Sequence, residues 1–250
     1  MSGRVGLIVG SGFAELDLTI RARSPTKTPY GAPSSPLLTV ACGDTELICL
    51  ARHGETHAIA PHEVNYRANV WALEQHGATS CLALNAVGAI APGFGPGDLA
   101  VPDQLIDYTH GRADTFGGPD GSVRHVEFTE PFEPLLRGRL AAAVYDCGFG
   151  ARGGTYGVTQ GPRLETAAEI ERLARDGCSM VGMTAMPEAV LARELGLPYA
   201  ICALAVNYAA GRAPGRGDIH AEMAESLAAG MQRTRIVLER LLADIARAAV

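Results

Sequence analysis

Val181-Gly-Met-Thr-Ala-Met-Pro-Glu188, read together with Ala203-Leu-Ala-Val-Asn-Tyr-Ala209, decides the fold. The first stretch leaves an apolar strand expected over residues 180–183 and enters a helix expected over 187–195, with Pro near its start and Gly196 after its end. The second closes an apolar strand expected over 199–206. Strand, helix, strand at this spacing is the rhythm of an α/β sheet. It places Met183, Thr184 and Asn207 at strand ends, where polar groups can converge on a small ligand. By themselves these residues read equally well as ordinary polar strand ends.

Outward from this stretch the same rhythm continues. Buried strands are expected over 4–9, 37–41, 46–51 and 81–87, with Gly43-Asp44 turning the chain between the second and third. Helices are expected over 65–76, closed by Gly77, over 131–147, and over 166–176, opened by the capping box Thr166-Ala-Ala-Glu169 and closed by Gly177. Asp218 is a candidate cap for a long amphipathic helix running to the end of the sequence. A loop rich in Pro, Thr and Ser fills 24–36. The expected architecture is α/β: a single domain over residues 1–250 with a twisted mixed sheet flanked by helices.

Composition narrows the function classes. A chain of 250 residues with 47% apolar content can bury a sizeable core. Twenty-one basic residues against 27 acidic ones give a net charge of −6, without a Lys/Arg run dense enough to track a phosphate backbone, so nucleic acid is not an expected partner. Cys42, Cys49, Cys81, Cys147, Cys178 and Cys202 form no CxxC pair and read as small buried hydrophobes of a reducing cytoplasm. No apolar run approaches the roughly 18 residues of a membrane span, and the expectation is a soluble cytoplasmic protein.

Three further stretches carry chemistry. Gly10-Ser11-Gly12 follows the first strand and can present a hydroxyl and backbone N–H groups to an anion, or serve as a plain turn. A dinucleotide fingerprint would need a glycine where Glu15 stands. Arg52-His53-Gly54 with His57 concentrates a guanidinium and two imidazoles at another strand end, a donor set suited to a dianion. Nothing completes a metal site around His53, His57 and His62, so no metal is expected. Glu165, in Gln160-Gly-Pro-Arg-Leu-Glu165, reads as a first-turn acid favoured by the helix dipole or as a ligand group, with the dipole the simpler account. There is no Gly-x-Ser-x-Gly elbow for acyl chemistry.

Taken together, Gly10-Ser-Gly12, Arg52-His53-Gly54, Asn65-Tyr-Arg-Ala-Asn-Val-Trp71, Asn85-Ala-Val-Gly88, Pro96-Gly-Asp98, Gln160-Gly-Pro-Arg163 and Gly182-Met-Thr-Ala-Met-Pro-Glu188 resemble the purine nucleoside phosphorylase and methylthioadenosine phosphorylase family, over nearly the whole chain. The resemblance implies cleavage of a purine nucleoside by phosphate, a homotrimer, and no cofactor beyond phosphate as co-substrate. It implies a phosphate site of Ser11, Arg52, His53, the Asn85-Ala86 segment and Thr184, with Met183 against the ribose and His57 and Ala209 beside the substrate. Asn207 and Glu165 match the catalytic pair used on 6-oxopurines, Asn207 taking N7–H and giving to O6 while Glu165 takes N1–H.

Two ends of the site carry the substrate expectation. The adenine-specific branch of the family has Asp at the positions of Asn207 and Ala209 and Ser at that of Glu165, so a 6-oxopurine is expected here. The segments 52–54 and 64–73 are similar to the methylthioadenosine branch, and Ile219 falls where ordinary nucleoside phosphorylases place a His for the 5′-hydroxyl. An apolar Ile219 suits a methylthio group, at about 0.8 kcal/mol per buried methylene-sized unit. Leu164 departs from a Phe usual in the family. The expected reaction is phosphorolysis of S-methyl-5′-thioinosine to hypoxanthine and 5-methylthioribose 1-phosphate. The alternatives are a general inosine and guanosine phosphorylase, then a methylthioadenosine phosphorylase, and from another class a non-catalytic nucleoside-binding protein.

Overall fold

A computed structural model of the chain describes residues 4–12, 16–43, 45–117, 122–215 and 219–248, without the side chains of 219–222 and 248. Asp44 of the expected turn, the Asp218 cap and the Ile219 side chain lie outside the described residues. The elements in chain order are β1 (Arg4–Val9), β2 (Thr19–Ser24), β3 (Leu37–Cys42), β4 (Thr45–Ala51), α1 (Tyr66–Gln75), β5 (Ala78–Ala89), β6 (Leu99–Ala100), β7 (Gln104–Asp107), α2 (Pro134–Asp146), β8 (Thr155–Val158), α3 (Ala167–Arg175), β9 (Cys178–Gly182), α4 (Ala185–Glu194), β10 (Tyr199–Tyr208) and α5 (Ile219–Ala248).

The strands form one mixed sheet in the order β2-β3-β4-β1-β5-β9-β8-β7, with β10 against β5 and β6 against β10. β4, β1, β5 and β10 are mutually parallel, which brings their carboxyl ends to one edge of the core. Alternation along β1 divides the core: Ile8 joins residues of α1 and α4 such as Val70 and Leu191, while Leu7 and Val9 join Leu140 of α2 and Leu241 of α5. Helices therefore cover both faces.

β5 is the strand that makes the site. β10 pairs with it from Cys81 to Ala89, so β1 and β9 share its other edge. β1 pairs only as far as Leu84, and β9 arrives antiparallel only at Gly88 and Ala89. Between these contacts residues 85–87 face an opening in the sheet, the kind of divergence point at which α/β proteins bind ligands.

The strand, helix, strand order holds, with local differences. β5 and β10 run longer than expected, and α2 starts at Pro134 because the Glu133 carboxylate caps the Leu135 and Leu136 amides at 3.1 and 2.5 Å. β2, β6, β7 and β8 are strands that the pattern did not announce. Helix α4 is entered through Ala185 and is kinked at Met186, whose φ and ψ of −112° and 135° are non-helical.

Candidate active site

A cavity of about 600 Å³ fills the opening beside β5. Its walls come from the ends of β1 (Gly10, Ser11), β4 (Arg52, His53), β5 (Ala86, Gly88), β9 (Gly182, Met183, Thr184) and β10 (Asn207, Ala209), closed by His57, Leu164 and Glu165 from loops. All but two of the residues singled out from sequence thus line one space. Asn85 lies behind its wall, and the Ile219 side chain is outside the described residues.

Arg52 is almost fully buried at 1% exposure, and an ion of that kind needs a partner. Glu188, from α4, supplies it: Arg52 Nε and Nη2 donate to Glu188 Oε1 and Oε2 at 2.5 and 2.9 Å, and the Tyr199 hydroxyl donates to Oε2 at 2.9 Å. Burial alone would lower the Arg52 pKa, but the charge and hydrogen bonds of Glu188 outweigh it and raise the pKa. Nη2 also donates to Asn85 Oδ1 at 3.0 Å and Nη1 to the Leu84 carbonyl at 3.2 Å. The free bidentate fork expected for a dianion is therefore already occupied. What remains is Nη1, beside Gly10, where even a Cβ would come within 2.6 Å of it.

Asn85 carries this order onward. With Oδ1 held by Arg52, its amide nitrogen donates to Thr184 Oγ1 at 3.1 Å and to Tyr156 Oη at 3.3 Å. Thr184 stands at the N-cap of α4 but makes no capping hydrogen bond, because the third helical position is Pro187, which has no N–H. Its hydroxyl accepts from Asn85 and keeps its proton for the cavity.

His53 Nδ1 lies 2.8 Å from the Ile59 carbonyl, which can only accept, so Nδ1 carries the proton. Burial, then the neighbouring Arg52 charge, lowers the His53 pKa to about 4, against the pull of the Ile59 carbonyl. The ring is neutral at pH 7 and Nε2 is an acceptor. His57, at φ 56°, sets Nε2 3.0 Å from Ser11 Oγ, with its ring 4.8 Å from that of His53.

At the other end, Asn207 reaches the cavity through a bulge. Ala205 pairs with Val87 and Asn207 with Gly88, so β10 carries one extra residue, and Val206 and Asn207 both face the cavity where alternation would separate them. Asn207 Nδ2 donates to the Tyr208 carbonyl at 2.7 Å. Only the nitrogen can donate there, which fixes the amide and leaves Oδ1 as the cavity's acceptor. Glu165 is the residue before the Thr166 cap and is not a first-turn acid; Glu169 is, and it closes the capping box. Glu165 Oε1 accepts from Thr159 Oγ1 at 2.6 Å. Leu164, 40% exposed, sits at the mouth.

Glu188, Tyr199 and Tyr156 escaped the sequence reading. Glu188 stands in a quoted motif, but its partner is 136 residues away and nothing local marks the pair.

The chain matches the family model described as Phosphorylase superfamily over residues 4–243. It is 50% identical over 240 residues to a protein of Pseudomonas syringae pv. tomato named probable S-methyl-5′-thioinosine phosphorylase, covering 94% of this chain and 97% of that one. It is 41% identical over 249 residues to the 6-oxopurine nucleoside phosphorylase of Pyrococcus furiosus, covering 97% and 92%. The solved methylthioadenosine phosphorylase of Schistosoma mansoni in complex with adenine superposes with a TM-score of 0.90 at 32% identity, over 98% of this chain and 92% of that one. The converging strand ends and the near full-length matches agree, and the chain belongs to the phosphorylase superfamily.

Proposed function

We propose that this protein is an S-methyl-5′-thioinosine phosphorylase, releasing hypoxanthine and forming 5-methylthioribose 1-phosphate. The observation that carries the base choice is the fixed Asn207 amide with the Glu165 carboxylate on the same cavity. A purine leaving with a proton on N7 and another on N1 meets an acceptor at each place, whereas the bare N1 of adenine would meet a carboxylate. The Pseudomonas syringae relative's name supports the methylthio sugar, and the apolar Ile219 at its aligned position agrees with it.

The reaction follows from the parts. Hydrogen phosphate sits among Ser11, Thr184, Arg52 Nη1 and the 85–86 segment, and its own proton donates to His53 Nε2. Met183 lies against the ribose, and His57 and Ala209 border the substrate. As a phosphate oxygen bonds to C1′, the C1′–N9 bond breaks and its electron pair leaves with the purine. Asn207 Oδ1 and Glu165 stabilise the departing base, and overall one proton passes from hydrogen phosphate to hypoxanthine. The remaining parts of the reading are one domain over residues 1–250, a cytoplasmic homotrimer, and no cofactor; light scattering in solution checks the trimer.

The deciding experiment measures base release from methylthioinosine, inosine and methylthioadenosine, with and without phosphate, as kcat/KM. The expected result is phosphate-dependent release with methylthioinosine preferred. Preference for inosine would overturn the sugar assignment, preference for methylthioadenosine the base assignment, and release without phosphate the reaction.

A further inference from the structure

Arg112 lies in the loop after β7, and its partners belong to two adjoining segments that give Leu164, Glu165, Met183 and Thr184 to the cavity. Nη1 donates to the carbonyls of Met183 and Met186 at 2.8 and 2.6 Å. Nη2 donates to the carbonyl of Gln160 at 2.9 Å and reaches that of Thr159 at 3.5 Å. The Tyr66 ring lies under the guanidinium at 5.4 Å, and its hydroxyl is 3.3 Å from Nη1. Among the described residues no carboxylate pairs with this cation, and its buried Nε has no hydrogen-bond partner. The guanidinium is thus aimed by its two terminal nitrogens at backbone carbonyls, at the expense of its third.

The segments so joined share one backbone hydrogen bond, from the Thr159 amide to the Gly182 carbonyl at 2.8 Å, where the β8–β9 ladder ends. Met186 is the kinked residue of α4, so its carbonyl is turned from the helical ladder and needs another donor. Residues 159–165 form an irregular loop that carries Glu165. The two segments also touch through a side chain, since a Cβ on Gly161 would fall 2.5 Å from Met183 Sδ.

We propose that Arg112 is a positioning residue: it clasps the 159–160 backbone to the 183–186 turn and so sets the spacing between Glu165 and Met183 across the nucleoside. The inference deepens the proposed function and rests on it for the identity of what is held. Only a planar fork spans two carbonyl pairs, so lysine is not an equivalent. Thr184 has its own tether through Asn85, so phosphate depends less on the clasp.

The test compares wild type, R112A and R112K by hydrogen exchange of the free protein and by steady-state kinetics. In R112A, amides in 159–165 and 183–186 are expected to exchange at least tenfold faster, with β1 and β5 unchanged. The kcat/KM for nucleoside is expected to fall at least thirtyfold while the phosphate KM moves less than threefold. Millimolar guanidinium restores part of the R112A activity and R112K recovers less. Unchanged exchange in the two segments, activity within threefold of wild type, or faster exchange throughout with both KM values raised alike would each overturn the clasp. A wild-type protein without phosphorolysis would overturn the proposed function, and the exchange comparison would still decide the clasp.

Discussion

Glu188 takes from Arg52 two of the donors that a dianion would otherwise use, and in return allows a guanidinium to sit where water is excluded. Removing one member of such a pair leaves the other charged and buried, at about 3–5 kcal/mol. E188A is therefore expected to lower unfolding stability by that amount in urea titrations. His53 gives a second effect at this scale. The unfolded ring takes up its proton near pH 6.5 and the folded ring only near about 4, so the folded state binds fewer protons between those values. The contribution is complete above pH 6.5 and is lost as the pH falls towards 4, amounting to about 3 kcal/mol at most. Stability of wild type should fall through this window, and that of H53N should fall less steeply. Equal slopes would show that His53 is not held neutral.

Among the elements, the entry to α4 is set by a short run of residues. Thr184 can turn its hydroxyl outward because Pro187 withholds the amide that a threonine cap usually binds, and Gly182 makes the approach possible. A Cβ on Gly182 would come within 2.0 Å of Tyr156 Oη, and Tyr156 is fully buried with no room to retreat. G182A is expected to cost about 1–3 kcal/mol by overpacking and to reduce kcat/KM, since Met183 and Thr184 move with it. A circular-dichroism melt alongside the kinetics checks both. The same elements show what the sequence makes legible. The α3 capping box, the glycines closing α1, α3 and α4, and the apolar runs of β1, β4 and β10 are local signals, and they appear in the structure where the pattern put them. β2 is not legible: Thr-Ile-Arg-Ala-Arg-Ser is an edge strand with five of six residues exposed, so burial writes no alternation into it. β6 has two residues, and β7 and β8 have four each, too short for periodicity to act. The β10 bulge, the Asn85 side-chain relay and the Arg112 clasp are fixed by partners far along the chain, which no local pattern records.

For the molecule as a whole, the net charge of −6 and the arrangement of Arg52 bear on how phosphate enters. A dianion approaching this protein meets long-range repulsion, which salt screens over about 10 Å at 0.1 M. Inside the cavity the usual attraction is muted, because Arg52 is neutralised by Glu188 and His53 is uncharged at pH 7. What is left to hold the anion is a set of oriented donors: the Thr184 and Ser11 hydroxyls, one Arg52 N–H and backbone amides. Such short-range hydrogen bonds in a buried site are screened little, whereas the repulsion outside is screened readily. Raising KCl from about 20 to about 200 mM should then leave the phosphate KM unchanged or lower it. Initial rates at saturating nucleoside give that KM directly. A several-fold rise with salt would mean that phosphate is drawn in by an exposed positive charge, and that Arg52 in solution is free of Glu188.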